Sequence, residues 1–426
     1  MANIAIFNFT PVKINGKWKN LHYYNSFISA FKERGHSVLN FITNDILCDP
    51  WNGHNVSISR NIEHAVEQSL RKFKPDLIIS FNNSKINVVE KFDCPIVIAE
   101  ADKAEYFSDK DSIKKNVNRY HFFHFTKKGS KEMMDLFNAP KQKIFYIENA
   151  TSIKSKKTKK IHDISFIGSL YDPDKFFNLK KRDSNFKDYT TAVERNKILL
   201  QLKSEKLMVY TNHVPDSYSN LVNYNKVSKK IIFDTSGTQK IMNQSLISLN
   251  HSHHQARNVG YSWRVLDILA SNSLLITSKS DLLKEKFGKN IQKQFYQSAY
   301  EVREKCNYFL NNKFAMEDLI AEQNEIIEKY FRWPDRIKKI EDIFKLKNIS
   351  KKKNSIIIFK THKNFTKIPL IIILILKTLH QYIIFKRSKN LLNKKIYFLN
   401  IIESFLKRTN NVFYRFLVRL KYFREK

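Results

Sequence analysis

Glycine is scarce in this chain, eight in 426 residues, which excludes a collagen-like or glycine-rich low-complexity protein. Cysteine is scarcer. Cys48, Cys94 and Cys306 stand far apart and match no metal-ligand spacing, so they read as free thiols of a reducing cytosol, not as a disulfide framework. Long apolar runs are missing too. A spanning helix needs about 20 apolar residues, and the run at 368–376 stops at Lys377 after nine. The opening MANIAIFNF flows straight into a polar loop and is too short for a signal peptide. Acidic residues are the last deficit: 40 face 75 lysines and arginines, a formal charge of +35.

That excess is unevenly placed. From Lys347 onward, 20 basic residues face only Glu403 and Glu425, so the last 80 residues carry +18 and the first 346 carry +17. The tail interleaves Lys351-Lys352-Lys353, Lys386-Arg387, Lys394-Lys395 and Lys407-Arg408 with Phe405, Phe413, Tyr414, Phe416 and Leu420. Basic residues between apolar faces suit helices lying on an anionic cytoplasmic leaflet. Helices packed on the body, or a disordered basic arm, are the other readings. A nucleic-acid-binding protein is a rival for the whole chain, although the tail carries no recognisable RNA- or DNA-reading motif.

A chain of this length holds about two or three domains. Short apolar strands at 3–9, 37–43, 76–82, 95–102, 121–126 and 143–149 alternate with helices, which predicts one Rossmann-like α/β domain over 1–150. Residues 151–162 are basic and aperiodic and read as a linker. The alternation restarts at 163–169 and continues through strands at 207–212, 230–234, 246–250 and 274–278, with closing helices to 346. Residues 163–346 thus form a second Rossmann-like domain, and 347–426 a basic amphipathic tail.

The most informative stretch is Asn250 through Phe287. A strand ends in Leu249-Asn250 and a polar loop follows. Ser262 occupies an N-cap position ahead of a helix over 263–271, and a buried strand comes next. This strand-loop-helix-strand unit aims a helix end at the carboxyl edge of a parallel sheet, where an anion such as a pyrophosphate is favoured. Arg264 would add a charge-assisted fork to the phosphates, and Asp267, one turn on, would accept from ribose hydroxyls. From spacing alone the two equally describe a surface ion pair. Gly168-Ser169, after an apolar strand, is a second phosphate candidate. Of Lys175, Arg182 and Arg195 behind it, one could reach the same phosphates, while any one of them reads first as a solvated surface charge.

Leu249-Asn250 followed by Tyr261-Ser262-Trp263-Arg264-Val265-Leu266-Asp267 resembles the nucleotide-binding segment of group 1 glycosyltransferases, in particular the branch named after the spore maturation protein CgeB. There the pattern is Leu-Asn, then Tyr-Ser-x-Arg-x-x-Glu. This chain departs from it with Asp267 for Glu, and with Ser271-Asn272 where a small residue and Gly are usual. The resemblance extends to Phe166–Ser169 and to the ending with Glu325, Tyr330, Arg332 and Arg336. It implies the GT-B architecture: two Rossmann-like domains facing a cleft, the nucleotide held mostly by the second and the acceptor by the first.

On that footing the expected activity is hexosyl-type sugar transfer (EC 2.4) from a nucleotide-diphosphate sugar to a glycan, lipid-linked or protein acceptor, as in bacterial surface polysaccharide. A relative that has lost turnover is the remaining alternative. Donor contacts are expected from Arg264, Asp267, Ser262, Tyr261, Asn250, Gly168 and Ser169. Candidates for an acceptor base are Asp102 and Glu100 at a strand end, and His22 after the first loop. No metal and no cofactor beyond the donor is expected. His251, His253 and His254 fit no common zinc spacing, and the Asp109-Lys110-Asp111 and Asp172-Pro173-Asp174 triplets end no apolar strand. The expected location is the cytoplasm, peripheral on the inner face of the membrane.

Overall fold

Strands buried on both faces read as near-continuous apolar runs, and two sets of such runs build two parallel sheets in this protein. The computed structural model describes residues 2–9, 13–14, 17–43, 46, 60–100, 110–168, 170, 186–202, 207–211, 214–215, 227–228, 235–252, 261–346 and 355–359. Both sheets lie in one compact unit, Met1–Asn44, Asp49–Asn55 and Leu70–Phe359.

The first sheet contains β1 (Asn3–Asn8), β2 (Ser37–Ile42), β3 (Leu77–Phe81), β4 (Ile96–Glu100), β5 (Tyr120–His124) and β6 (Ile144–Tyr146). Between these strands the chain forms helices α1 (His22–Glu33), α2 (Arg60–Phe73), α3 (Lys110–Lys115) and α4 (Lys127–Phe137). Thr126 caps α4 by accepting from the Gly129 amide at 2.9 Å, and Asn138 closes it in the left-handed region at φ 51°. Residues 87–91 form a 3-10 turn.

The second sheet contains β7 (His162–Ile167), β8 (Leu207–Tyr210), β9 (Val227–Ser228), β10 (Ser245–Asn250), β11 (Leu274–Ser278) and β12 (Phe295–Tyr296). Its helices are α5 (Phe186–Gln201), α6 (Thr235–Asn243), α7 (Trp263–Leu269), α8 (Asp281–Phe287), α9 (Ala299–Asn311), α10 (Lys313–Tyr330) and α11 (Trp333–Phe344). Residues 230–234, expected as a strand, lie outside the described residues. Pro334 is the second residue of α11, within the first turn where its missing N–H leaves no bond unmade. Apolar clusters cover both faces of this sheet, one with α5, α9 and α10 and the other with α6, α7 and α8.

Strand order in the second sheet is β9-β8-β7-β10-β11-β12, every neighbour parallel. The first sheet runs β13-β2-β1-β3-β4-β5-β6, where β13 (Ile356–Ile358) joins β2 in parallel. β13 falls in the stretch read as basic tail; residues 360–426 lie outside the described residues. Among the described residues no helix is long and apolar enough to cross a membrane.

After α10 the chain returns to the first sheet. Helix α11 packs on α1, and Glu341 accepts from Arg34 Nε at 2.9 Å and from His36 Nε2 at 2.8 Å. Burial alone would raise the Glu341 carboxyl, but the hydrogen bonds from Arg34 and His36 outweigh it and hold the group below its ordinary value. Its stabilising contribution is therefore complete above the unfolded glutamate value of about 4.3 and is lost as pH falls through the lower folded value. Glu341→Gln should cost about 1–3 kcal/mol at neutral pH, since Arg34 is only partly shielded from water. Urea titrations of both proteins should converge as pH drops below about 4. A difference that stays constant with pH would refute this account.

Candidate functional site

The order of the second sheet reverses between β7 and β10: successive strands go to β8 on one side and to β11 on the other. Doubly wound sheets hold ligands outside the carboxyl ends of the strands at such a switch point. Gly168 follows β7 there, His251 and Ser252 follow β10, and Arg264 arrives on the first turn of α7. The Arg264 guanidinium stands over Gly168. A Cβ at that position would lie 3.2 Å from Arg264 Nη1 and 3.1 Å from the Phe166 ring. The Gly168 amide donates to the Tyr210 carbonyl at 3.0 Å, so what this glycine contributes is room beside a fixed cation. A guanidinium beside a glycine at a sheet's carboxyl edge is suited to a phosphate. Ser169 lies outside the described residues.

The neighbouring donor candidates are held by protein. The Asn250 side chain donates to Thr277 Oγ1 at 2.9 Å and to Ser252 Oγ at 3.2 Å, fastening β10 to β11. Tyr261 is buried and donates to Glu148 at 3.3 Å; burial, then Glu148, pushes its hydroxyl pKa up. Ser262 has the extended conformation of an N-cap (φ −73°, ψ 156°), yet among the described residues its Oγ makes no capping bond and is buried without a partner.

Asp267 is 3% exposed, which rules out the surface ion pair with Arg264. Thr151 donates to one of its oxygens at 2.5 Å, and His22 Nε2 bonds the other. His22 opens α1 beside the first sheet, so this contact joins the two sheet domains through a carboxylate. Nδ1 of His22 is buried with no partner among the described residues. Thr151 opens the expected linker and pairs with Arg332, whose Nη1 donates to the Ile153 carbonyl at 2.5 Å. The linker is thus pinned along the second domain, with the Lys154 amide on Gln239 at 3.0 Å and the Lys156 amide on Asn243 at 2.8 Å.

Glu100 is buried at the end of β4, paired in register with His124; Asp102 lies outside the described residues. Arg195, read as a surface charge, is buried instead. Its guanidinium lies over the Phe166 ring, 5.6 Å from the centroid, and Nη2 donates to the His251 carbonyl at 3.3 Å. Lys175, Arg182, His253, His254, Asp109 and the Asp172–Asp174 triplet lie outside the described residues. His251 is buried, with Nδ1 bonded to Tyr296 Oη at 2.9 Å and Nε2 3.3 Å from Glu194. Sequence reasoning placed His22 and Asp267 in separate roles and passed over Thr151. The two partners of the first contact are 245 positions apart, and nothing local to either signals the other.

Residues 188–342 match the family described as Glycosyl transferase-like. No curated protein matches. Among solved structures, Anabaena HepE in complex with UDP-glucose aligns with a TM-score of 0.54 at 10% identity, covering 81% of this chain and 100% of HepE. Sucrose-phosphate synthase from Thermosynechococcus elongatus aligns at 0.53 and 10%, covering 81% and 98%. TarM aligns at 0.46 and 13%, and this chain spans 58% of TarM's length. The architecture is therefore the GT-B glycosyltransferase fold, with a second domain similar to the Glycosyl transferase-like family across most of its length.

Proposed function

We propose that this protein transfers a sugar from a nucleoside-diphosphate sugar, a UDP-sugar in the first instance, to a glycan, lipid-linked or protein acceptor. The observation that carries this reading is the Arg264 guanidinium fixed over Gly168 at the switch point of the second sheet. Sugar transfer needs a clamp for a leaving diphosphate that grows more negative as the glycosidic bond breaks. An arginine at the edge where such sheets hold nucleotides would supply that clamp without requiring a metal. The resemblance to the CgeB-named branch, the family match over 188–342 and the UDP-glucose bound by HepE favour a hexosyl donor. Calorimetry with UDP, UDP-glucose, UDP-galactose and UDP-N-acetylglucosamine tests it. Binding of UDP and at least one donor is expected, and no heat with any of them would refute the reading.

The +18 carried by residues 347–426 favours an enzyme working at the cytoplasmic face of a membrane, where lipid-linked acceptors are presented. The full chain should float with phosphatidylglycerol vesicles at low salt and be released at about 1 M salt, where the Debye length is about 3 Å. Co-purification with RNA and no flotation would point to the nucleic-acid rival instead.

A further inference from the structure

The helices that close the second sheet carry a surface feature that the donor site leaves unused. On α9, Glu301, Glu304, Lys305 and Tyr308 recur at helical spacing and share one face, while Val302, Cys306 and Phe309 are buried on another. On α10, Ala315, Asp318, Leu319 and Glu322 share a face by the same spacing. The two faces line a cavity of about 680 Å³ together with Asn290 and Lys293. A second cavity, about 430 Å³, shares Glu304 and Lys305 with the first and extends to Lys279 and Gln297. A third, about 370 Å³, shares Lys279 and Gln297 and reaches Glu194 on α5 and His251, which follows β10. The three form one trough. It follows α9 from Ala299 to Tyr308, about 14 Å along the helix axis, and begins at the carboxyl edge of the second sheet.

The lining decides what the trough fits. Its apolar floor is already covered, Phe309 being 2% and Leu319 5% exposed, so it offers little to the apolar anchors of a protein partner. Among the described residues that line it, Tyr308, at 56% exposure, presents the one open ring, braced edge-on by Phe309 at 5.1 Å. Around that ring stand groups of both signs, held by bonds within the protein. Asn290 Nδ2 donates to Glu322 at 3.0 Å, Lys305 Nζ to the Lys293 carbonyl at 2.9 Å, and the Gln297 backbone amide to Glu301 at 2.8 Å. Groups fixed in advance lose little freedom on binding, and carboxylates, ammonium groups and amides offer both acceptors and donors to hydroxyls. A sugar ring matches this lining: its C–H face packs on the aromatic ring and its hydroxyls meet the polar walls. Mixed charge along the trough argues against a polyanion such as RNA. We infer that this trough binds the sugar chain of a glycan acceptor. The inference deepens the sugar-transfer reading above and rests on it. The family resemblance assigns the acceptor to the first domain; the trough adds a holding site on the second, for units behind the reacting end.

Calorimetry on the full chain tests this with maltohexaose, cellohexaose and chitohexaose, and with glucose and N-acetylglucosamine as single-unit controls. UDP titrated into the same proteins reads the donor site separately. At least one hexamer should bind about tenfold or more tightly than its monomer, as expected when several units engage one trough. Tyr308→Ala should weaken that hexamer about three- to tenfold, the loss of one ring contact, and leave UDP affinity unchanged. Tyr308→Phe should retain it. Phe314→Ala removes a ring that is 87% exposed and outside the trough, and should leave hexamer binding as it was. Both side chains are exposed, so neither truncation threatens folding. Hexamer binding that survives Tyr308→Ala, or that falls equally in Phe314→Ala, would overturn the trough assignment. A wild-type chain that binds UDP but no hexamer overturns it too and leaves the donor reading standing; if that chain also forms a dimer that Tyr308→Ala dissociates, the trough belongs to a second copy. Hexamer binding without UDP binding would uphold a sugar-binding trough and refute the transferase reading.

Discussion

Arg264→Ala should lower donor turnover by about 10²- to 10³-fold, the loss usual when one fixed donor to a developing anion is removed. The guanidinium is set by its place on the first turn of α7 and packs close against Gly168. A lysine there keeps the charge and loses the planar fork, so Arg264→Lys should recover only part of the rate. Gly168→Ala probes the same geometry from the other side, because its methyl would press on Nη1 at 3.2 Å and on the Phe166 ring at 3.1 Å. The loss should appear in UDP affinity as well as in rate, since a diphosphate is present before and after transfer. Steady-state kinetics with calorimetry on the same variants checks this. Full turnover in Arg264→Ala would remove the guanidinium from the donor site.

Most strands were legible because a parallel strand covered on both faces has to be apolar throughout. Residues 274–278 occupy β11 with no shift at either end, and those at 246–250 differ from β10 by one residue. β13 escaped for the opposite reason: Ile356, Ile357 and Ile358 are exposed at the sheet edge and follow a lysine run that dominates any compositional window. The linker escaped because hydrogen bonds, not apolar periodicity, hold it. Lys160 donates to the carbonyls of Asn243 at 3.1 Å and Ser245 at 2.9 Å and to that of Asn272, and burial brings its ammonium down to about 8. Local pattern pointed to the segment around Arg264, since a strand, a loop and a helix start are local features. It could not show that Arg195 lies over a ring 29 positions earlier in the chain, or that Asp267 faces the opening residue of α1. Those facts belong to tertiary packing, where a charged side chain's neighbours come from other elements.

Trp333→Ala should be the most damaging change to stability away from the donor site, about 3–5 kcal/mol. At 1% exposure, Trp333 sits where α11 returns from the second sheet to the first. Its ring meets Phe27 of α1 edge-on at 5.3 Å and Trp263 of α7 at 5.4 Å, so one side chain fills space between elements of both domains. Trp263 in turn packs on Tyr23, at 4.4 Å, and on Phe125, at 4.9 Å. Removing the indole leaves a cavity that neither sheet can close alone, and the melting temperature should fall by roughly 10 °C. Trp333→Phe separates shape from polarity. The indole Nε1 is buried with no partner among the described residues, so phenylalanine gives up no hydrogen bond seen there and loses only part of the ring volume. Its cost should stay near 1–2 kcal/mol, within the range for partial truncation of a core side chain. If urea unfolding gave equal losses for the two variants, the indole nitrogen rather than the ring would be holding the domains, and the packing account of this junction would fail.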